Sequence, residues 1–201
     1  MIKAYRGIAT TTAMAAIALA LALAFMGIGA GQAQALGVND TFKKDGNTYK
    51  VTEAYENSSE IGEVILVKYG STNTKPVINI VKYKGESFEV EVIGKNAFNN
   101  TKGHKITAIT LGKHVDEIWA KAFYGCSKLK TINMGASEAV DIEKNKKGYY
   151  LDDVEIGAKA FAKAGVSGVK VKCGKSNASY QKLYKKALKA KGLRSDAKIV
   201  K

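Results

Sequence analysis

Apolar positions along the chain fall into three successive patterns, and each predicts a different kind of element. Between Thr41 and Val92 they alternate with polar ones, as in Phe42, Tyr49 and Val51, then Val64 and Leu66, then Phe88, Val90 and Val92. Turn residues at Asp45-Gly46-Asn47 and Lys84-Gly85-Glu86 punctuate the runs. Period two with such breaks predicts antiparallel hairpins, because successive strand side chains face opposite ways. From Ile93 a segment recurs: IGKNAF at Ile93 to Phe98, IWAKAF at Ile118 to Phe123, IGAKAF at Ile156 to Phe161. A second shared spacing follows each copy, Ile106, Ile109 and Leu111, then Leu129, Ile132 and Met134, then Val166, Val169 and Val171. Beyond Gly174 the spacing becomes helical, with Tyr180, Leu183, Tyr184, Ala187 and Leu188 on one stripe. Ser176 or Asn177 can cap its start and Gly192 its end, and Ile199 and Val200 are placed to return as a short strand.

Repeats of this length predict coils that bury their apolar face only against neighbouring coils. Equivalent side chains then stack in rows, so Phe98, Phe123 and Phe161 are expected as one buried row, with Ala97, Ala122 and Ala160 where the chain turns inward. Strand alternation turns Ala108 and Thr110, Thr131 and Asn133, and Gly168 and Lys170 outward, which predicts a parallel ladder through Thr110, Asn133 and Lys170. The copies start 25 and then 38 residues apart, so about 13 extra residues lie in the second interval. They fall near 136–152 and read as an inserted loop carrying Tyr149 and Tyr150.

The IGxxAF segments with their trailing strands, the run YKGESFEVEVIGKNAF before them and the lysine-rich ending resemble the BspA-like leucine-rich repeat family of secreted and surface-exposed proteins. The resemblance implies a right-handed parallel coil and, loosely, adhesion or protein binding; it brings no catalytic residues. Trp119 stands where the other copies have Gly94 and Gly157, so that position is not expected to require a positive φ. The fold expected is α/β: a short right-handed leucine-rich repeat solenoid with an N-terminal antiparallel β cap at 36–92, three repeats at 93–175 and a basic helix cap at 176–201. Residues 36–201 are expected to fold as one unit.

The N-terminal segment changes where this fold is expected to reside. Lys3 and Arg6 precede an apolar stretch from Ala13 to Ile28, and Ala33-Gln34-Ala35 offers small residues for a signal peptidase. Residues 1–35 therefore read as a signal peptide, with cleavage after Ala35 or after Ala33. The mature chain is expected outside the cytoplasm, secreted or on the cell surface, and not integral to a membrane.

Charge adds a second asymmetry. The chain carries a net charge of +14, yet residues 36–169 hold 19 Lys against 17 acidic residues, whereas residues 170–201 hold 11 basic residues and one acidic. Basicity confined to the end of an exported chain points to an anionic envelope polymer or membrane surface rather than to nucleic acid.

Candidate chemistry is sparse. Neither His104 nor His114 has metal-ligand or catalytic partners at a matching spacing, and Asp152-Asp153 reads as a surface pair. Cys126 and Cys173 are expected as separate, mostly buried thiols rather than a bridge. No catalytic residue, metal or cofactor is expected. Binding by a protein or glycan is placed on Thr110, Asn133 and Lys170 of the sheet face, with Trp119, Tyr149 and Tyr150 as aromatic anchors. Lys182, Lys185, Lys186 and Lys189, expected mostly on the outer side of the helix, are the alternative surface, for anionic polymer or membrane.

Overall fold

The computed structural model describes residues 35–54 and 61–201, so the signal peptide reading lies almost wholly outside the described residues. The fold is mixed α/β, mostly strands with one α-helix. The described residues belong to one compact unit.

The alternating N-terminal region forms β1 (Thr41–Lys44), β2 (Asn47–Glu53), β3 (Gly62–Lys68), β4 (Val77–Ile78), β5 (Ile80–Tyr83) and β6 (Glu86–Ile93). Strands β1, β2 and β3 pair antiparallel, as do β5 and β6. The expectation of hairpins alone is corrected in two places. β3 runs parallel to β6, and β4 leaves this sheet to pair with β7 (Ala108–Leu111).

A second sheet is parallel throughout. Its order is β13 (Lys198–Val200), β12 (Lys170–Lys172), β9 (Thr131–Asn133), β7 and β4. Ile109, Ile132, Val171 and Ile199 occupy one row. The expected register is off by two residues at β12. Thr110 faces Asn133, but Asn133 faces Lys172, while Lys170 lies between Thr131 and Lys198.

The IGxxAF segments form a further junction between coils. Ile93 pairs with Ile118 of β8 (Glu117–Ile118), and Ile118 bridges to Ile156, all in parallel. After each of these isoleucines the chain makes a tight turn closed by Ala97 N to Gly94 O, Ala122 N to Trp119 O and Ala160 N to Gly157 O. Its third residue is left-handed in every copy: Asn96 at φ 58°, Lys121 at 58° and Lys159 at 57°. This is an unfavourable state for lysine, and burial of the next two residues opposes the cost. Gly157 does not have a positive φ; a Cβ there would lie 2.4 Å from the Ala120 amide nitrogen, so close approach explains the glycine.

The turns lock one coil to the next through a repeated bond. Phe98 N donates to Ala122 O at 2.8 Å and Phe123 N to Ala160 O at 2.9 Å. Tyr69 N extends the series backward to Ala97 O at 2.9 Å, and Phe161 N extends it forward to Lys191 O at 3.0 Å. The rings follow the backbone, with centroids 4.6 Å apart for Tyr69–Phe98, 4.9 Å for Phe98–Phe123 and 5.3 Å for Phe123–Phe161. The three phenylalanines are completely buried.

Residues 136–152, expected as a loop, form a hairpin instead. β10 (Asp141–Asn145) pairs antiparallel with β11 (Gly148–Asp153) around the Lys146-Lys147 turn. Helix α1 (Ala178–Ala190) packs on this hairpin and on β13. Asn177 caps it, its side chain accepting from the Ser179 and Tyr180 amides. Gly192, at φ 97°, ends it where a Cβ would lie 2.8 Å from the Ala162 amide. The 176–201 segment is thus a helix followed by an edge strand, β13, which contains Ile199 and Val200.

Candidate functional surface

The outer face of the parallel sheet is built by alternation, with Ile109, Ile132 and Val171 pointing inward. Register aligns Val77, Thr110, Asn133, Lys172 and Val200 across the face, with a second row of Ala108, Thr131, Lys170 and Lys198 beside it. Thr110 and Asn133 are half-buried, Lys170, Lys172 and Lys198 exposed. Of the residues expected there, Thr110 and Asn133 are direct neighbours; Lys170 is on the same face in the other row. Lys172 and Lys198 escape a reading of the sequence because their places depend on pairing across the sheet.

The aromatic candidates do not share one environment. Trp119 remains 40% exposed, and its indole N–H donates to Glu117 Oε2 at 2.6 Å. Tyr149 packs edge-on against Tyr180 of α1, with centroids 5.7 Å apart. Tyr150, its neighbour on β11, is exposed, and its hydroxyl donates to Glu143 Oε2 at 2.6 Å. That bond to a carboxylate pushes the Tyr150 phenol up to about 12. Tyr149 thus holds the hairpin to the helix, while Tyr150 and Trp119 present free ring surface.

The helix lysines also divide. Lys182, which is exposed, and Lys185, which is half-buried, line an open groove of about 490 Å³ together with Lys198 and Ile199 of β13. Lys186 and Lys189 are exposed. Asp196 lines the same groove, but its carboxylate takes Arg194 Nε at 2.9 Å and Ser167 Oγ at 2.7 Å. These bonds hold Asp196 well below the usual carboxylate range.

Carboxylates concentrate on the other sheet, which the sequence reading does not single out. Glu53 faces Glu63 across β2–β3, and Glu63 faces Glu89 across β3–β6. Burial, followed by the charges of Glu63 and Asp116, pushes Glu91 up to about 8; Glu91 and Glu63 also hydrogen-bond to one another. Burial likewise raises Glu63, Asp116 and Glu155. The hairpin adds a smaller group in which Asp141, Glu143 and Asp152 bring carboxylate oxygens within 4.8 Å of one another.

The residues weighed for nucleophilic chemistry are occupied structurally. Cys126 and Cys173 are free and buried, and burial pushes the Cys126 thiol up to about 12, away from the reactive thiolate. His104 Nε2 lies 3.2 Å from Tyr124 O and 3.3 Å from Asn99 Oδ1. His114 Nδ1 lies 2.5 Å from Glu89 Oε2. Both histidine rings therefore have partners within the fold. Among the described residues no helix is long and apolar enough to cross a membrane.

Comparison with known proteins agrees with the repeat reading. No curated protein matches the chain. A solved leucine-rich cell surface protein from Faecalibacterium prausnitzii A2-165 is similar at 19% identity and a TM-score of 0.41, over 66% of this chain and 32% of that one. The pneumococcal vaccine antigen PcpA is similar at 19% identity and a TM-score of 0.38, over 68% of this chain and 41% of its own. The chain thus spans less than half the length of either. Residues 78–146 match the family described as BspA type Leucine rich repeat region (6 copies), and over that stretch the chain is similar to that family's repeats.

Proposed function

We propose that this chain is a secreted, non-enzymatic binding module that recognises a protein or glycan on the outer face of its parallel sheet. In this reading the coils form a short right-handed leucine-rich repeat solenoid, β1–β3 with β5 and β6 cover its first coil, and α1 covers its last. The observation that carries it is the alignment of Thr110, Asn133 and Lys172, a polar row on the three central strands of the sheet with Val77 and Val200 at its ends. Side chains fixed on strands lose little freedom on binding, which favours recognition. Trp119 and Tyr150 supply further exposed aromatic surface. The test is binding of the purified protein to intact cells and to a glycan array. Thr110→Ala with Asn133→Ala should weaken retention at least tenfold without changing the melting temperature; full retention would overturn the reading.

A second reading is association with the cell envelope through the basic C-terminal segment. It is favoured by Lys182 and Lys185 bordering one groove with Lys198, which gathers their charge on one side of the C-terminal segment.

A further inference from the structure

We propose that the basic end of the sheet face, Lys170 and Lys172 on β12 and Lys198 on β13, binds a phosphodiester polymer that continues into the groove lined by Lys182 and Lys185. The proposal rests on the envelope-association reading. It names the ligand chemistry and moves the binding surface from the outer side of the helix to the sheet and groove.

The strongest observation is the pairing of like charges. Lys170 and Lys198 are direct register partners on neighbouring parallel strands, and Lys172 follows two residues on along the same face. Strands lie about 4.8 Å apart and residues i and i+2 about 6.6 Å, so the three lysine side chains start from neighbouring points of one strand lattice on the same face. Like charges in such positions repel. A ligand with one negative charge per repeating unit relieves that repulsion at several points at once.

The surroundings keep this surface cationic. Asp196, the single acidic residue of 170–201, is engaged by Arg194 and Ser167. The acidic side chains of Glu53, Glu63 and Glu89 stand on the other sheet, so none of them shares a strand with Lys170, Lys172 or Lys198. A polymer fits better than a bilayer. Lys170, Lys172 and Lys198 stand on a strand lattice without a large exposed apolar side chain among them, and membrane docking generally adds apolar insertion to charge attraction.

The test measures binding of the purified protein to poly(glycerol phosphate), to hyaluronate as a carboxylate polymer, and to vesicles of equal parts phosphatidylcholine and phosphatidylglycerol. Wild-type protein should prefer poly(glycerol phosphate). Lys170→Gln, Lys172→Gln and Lys198→Gln together should weaken that binding at least tenfold. They should also reduce the slope of log affinity against log salt by roughly two, about 0.7 for each phosphate no longer neutralised. Arginine at the same three positions should restore binding, with unchanged melting in each variant. Full affinity in the glutamine variant, equal binding to hyaluronate, or retention by vesicles alone would overturn the proposal. If Lys186→Gln with Lys189→Gln abolishes binding while the sheet variant retains it, the envelope reading stands and this inference falls; if wild type binds no anionic probe, both fall.

Discussion

The ring of Tyr69 lies over that of Phe98, with centroids 4.6 Å apart and planes inclined by 20°. Tyr69 also donates its amide to Ala97 O, as Phe98 does to Ala122 O and Phe123 to Ala160 O. The aromatic row therefore begins in the strand region and links both sheets into one interior.

Stability should concentrate in this row. Phe123→Ala removes a fully buried ring that stacks on Phe98 on one side and on Phe161 on the other, and should cost about 3 to 5 kcal/mol. Thr110→Ala on the outer face should cost less than about 1 kcal/mol. Denaturant melts of the two variants check this, and equal losses would contradict the packing described.

Stability should also fall as pH rises across the neutral range. Glu91 moves from an ordinary value of 4.5 to about 8, through burial and the charges of Glu63 and Asp116. The folded chain binds that proton more tightly than the unfolded chain, so its stabilising effect is present at low pH and is lost between about 4.5 and 8. Glu63, Asp116 and Glu155 are shifted upward and act in the same direction. Glu91→Gln should raise the melting temperature at pH 8 and reduce its difference from pH 5; an unchanged difference would place the proton elsewhere.

The two tyrosines of the hairpin should separate stability from surface recognition. Tyr149→Ala removes the contact with Tyr180 and should speed hydrogen exchange throughout β10 and β11. Tyr150→Ala removes an exposed ring and one bond to Glu143, so exchange should be nearly unchanged. Equal acceleration by both changes would show that Tyr149 does not hold the hairpin to α1.

Much of the coil interior is legible in the sequence because its residues are local and repeated. Each phenylalanine follows an alanine and a tight turn, so the row from Phe98 to Phe161 can be read directly. Tyr69 cannot, since it comes three residues after Leu66, whereas Phe98 comes five after Ile93. The β12 register is misread for a similar reason. Ile109, Ile132 and Val171 follow their phenylalanines by 11, 9 and 10 residues, and only cross-strand pairing shows them to be equivalent. In the candidate surface, Thr110 and Asn133 follow from strand alternation. That Lys182 and Lys185 border a groove with Lys198 depends on where β13 docks, a long-range relationship that helical spacing does not contain.

Whether the outer sheet face is the binding surface is read out by photocrosslinking on intact cells. p-Benzoylphenylalanine would replace Asn133 on the face, Lys95 on an exposed turn, or Tyr150 on the hairpin, one position at a time. A discrete cell-surface adduct is expected from position 133 and none from position 95. Adducts from position 95 or 150 with none from 133, in proteins of unchanged melting temperature, would show that the ligand binds elsewhere.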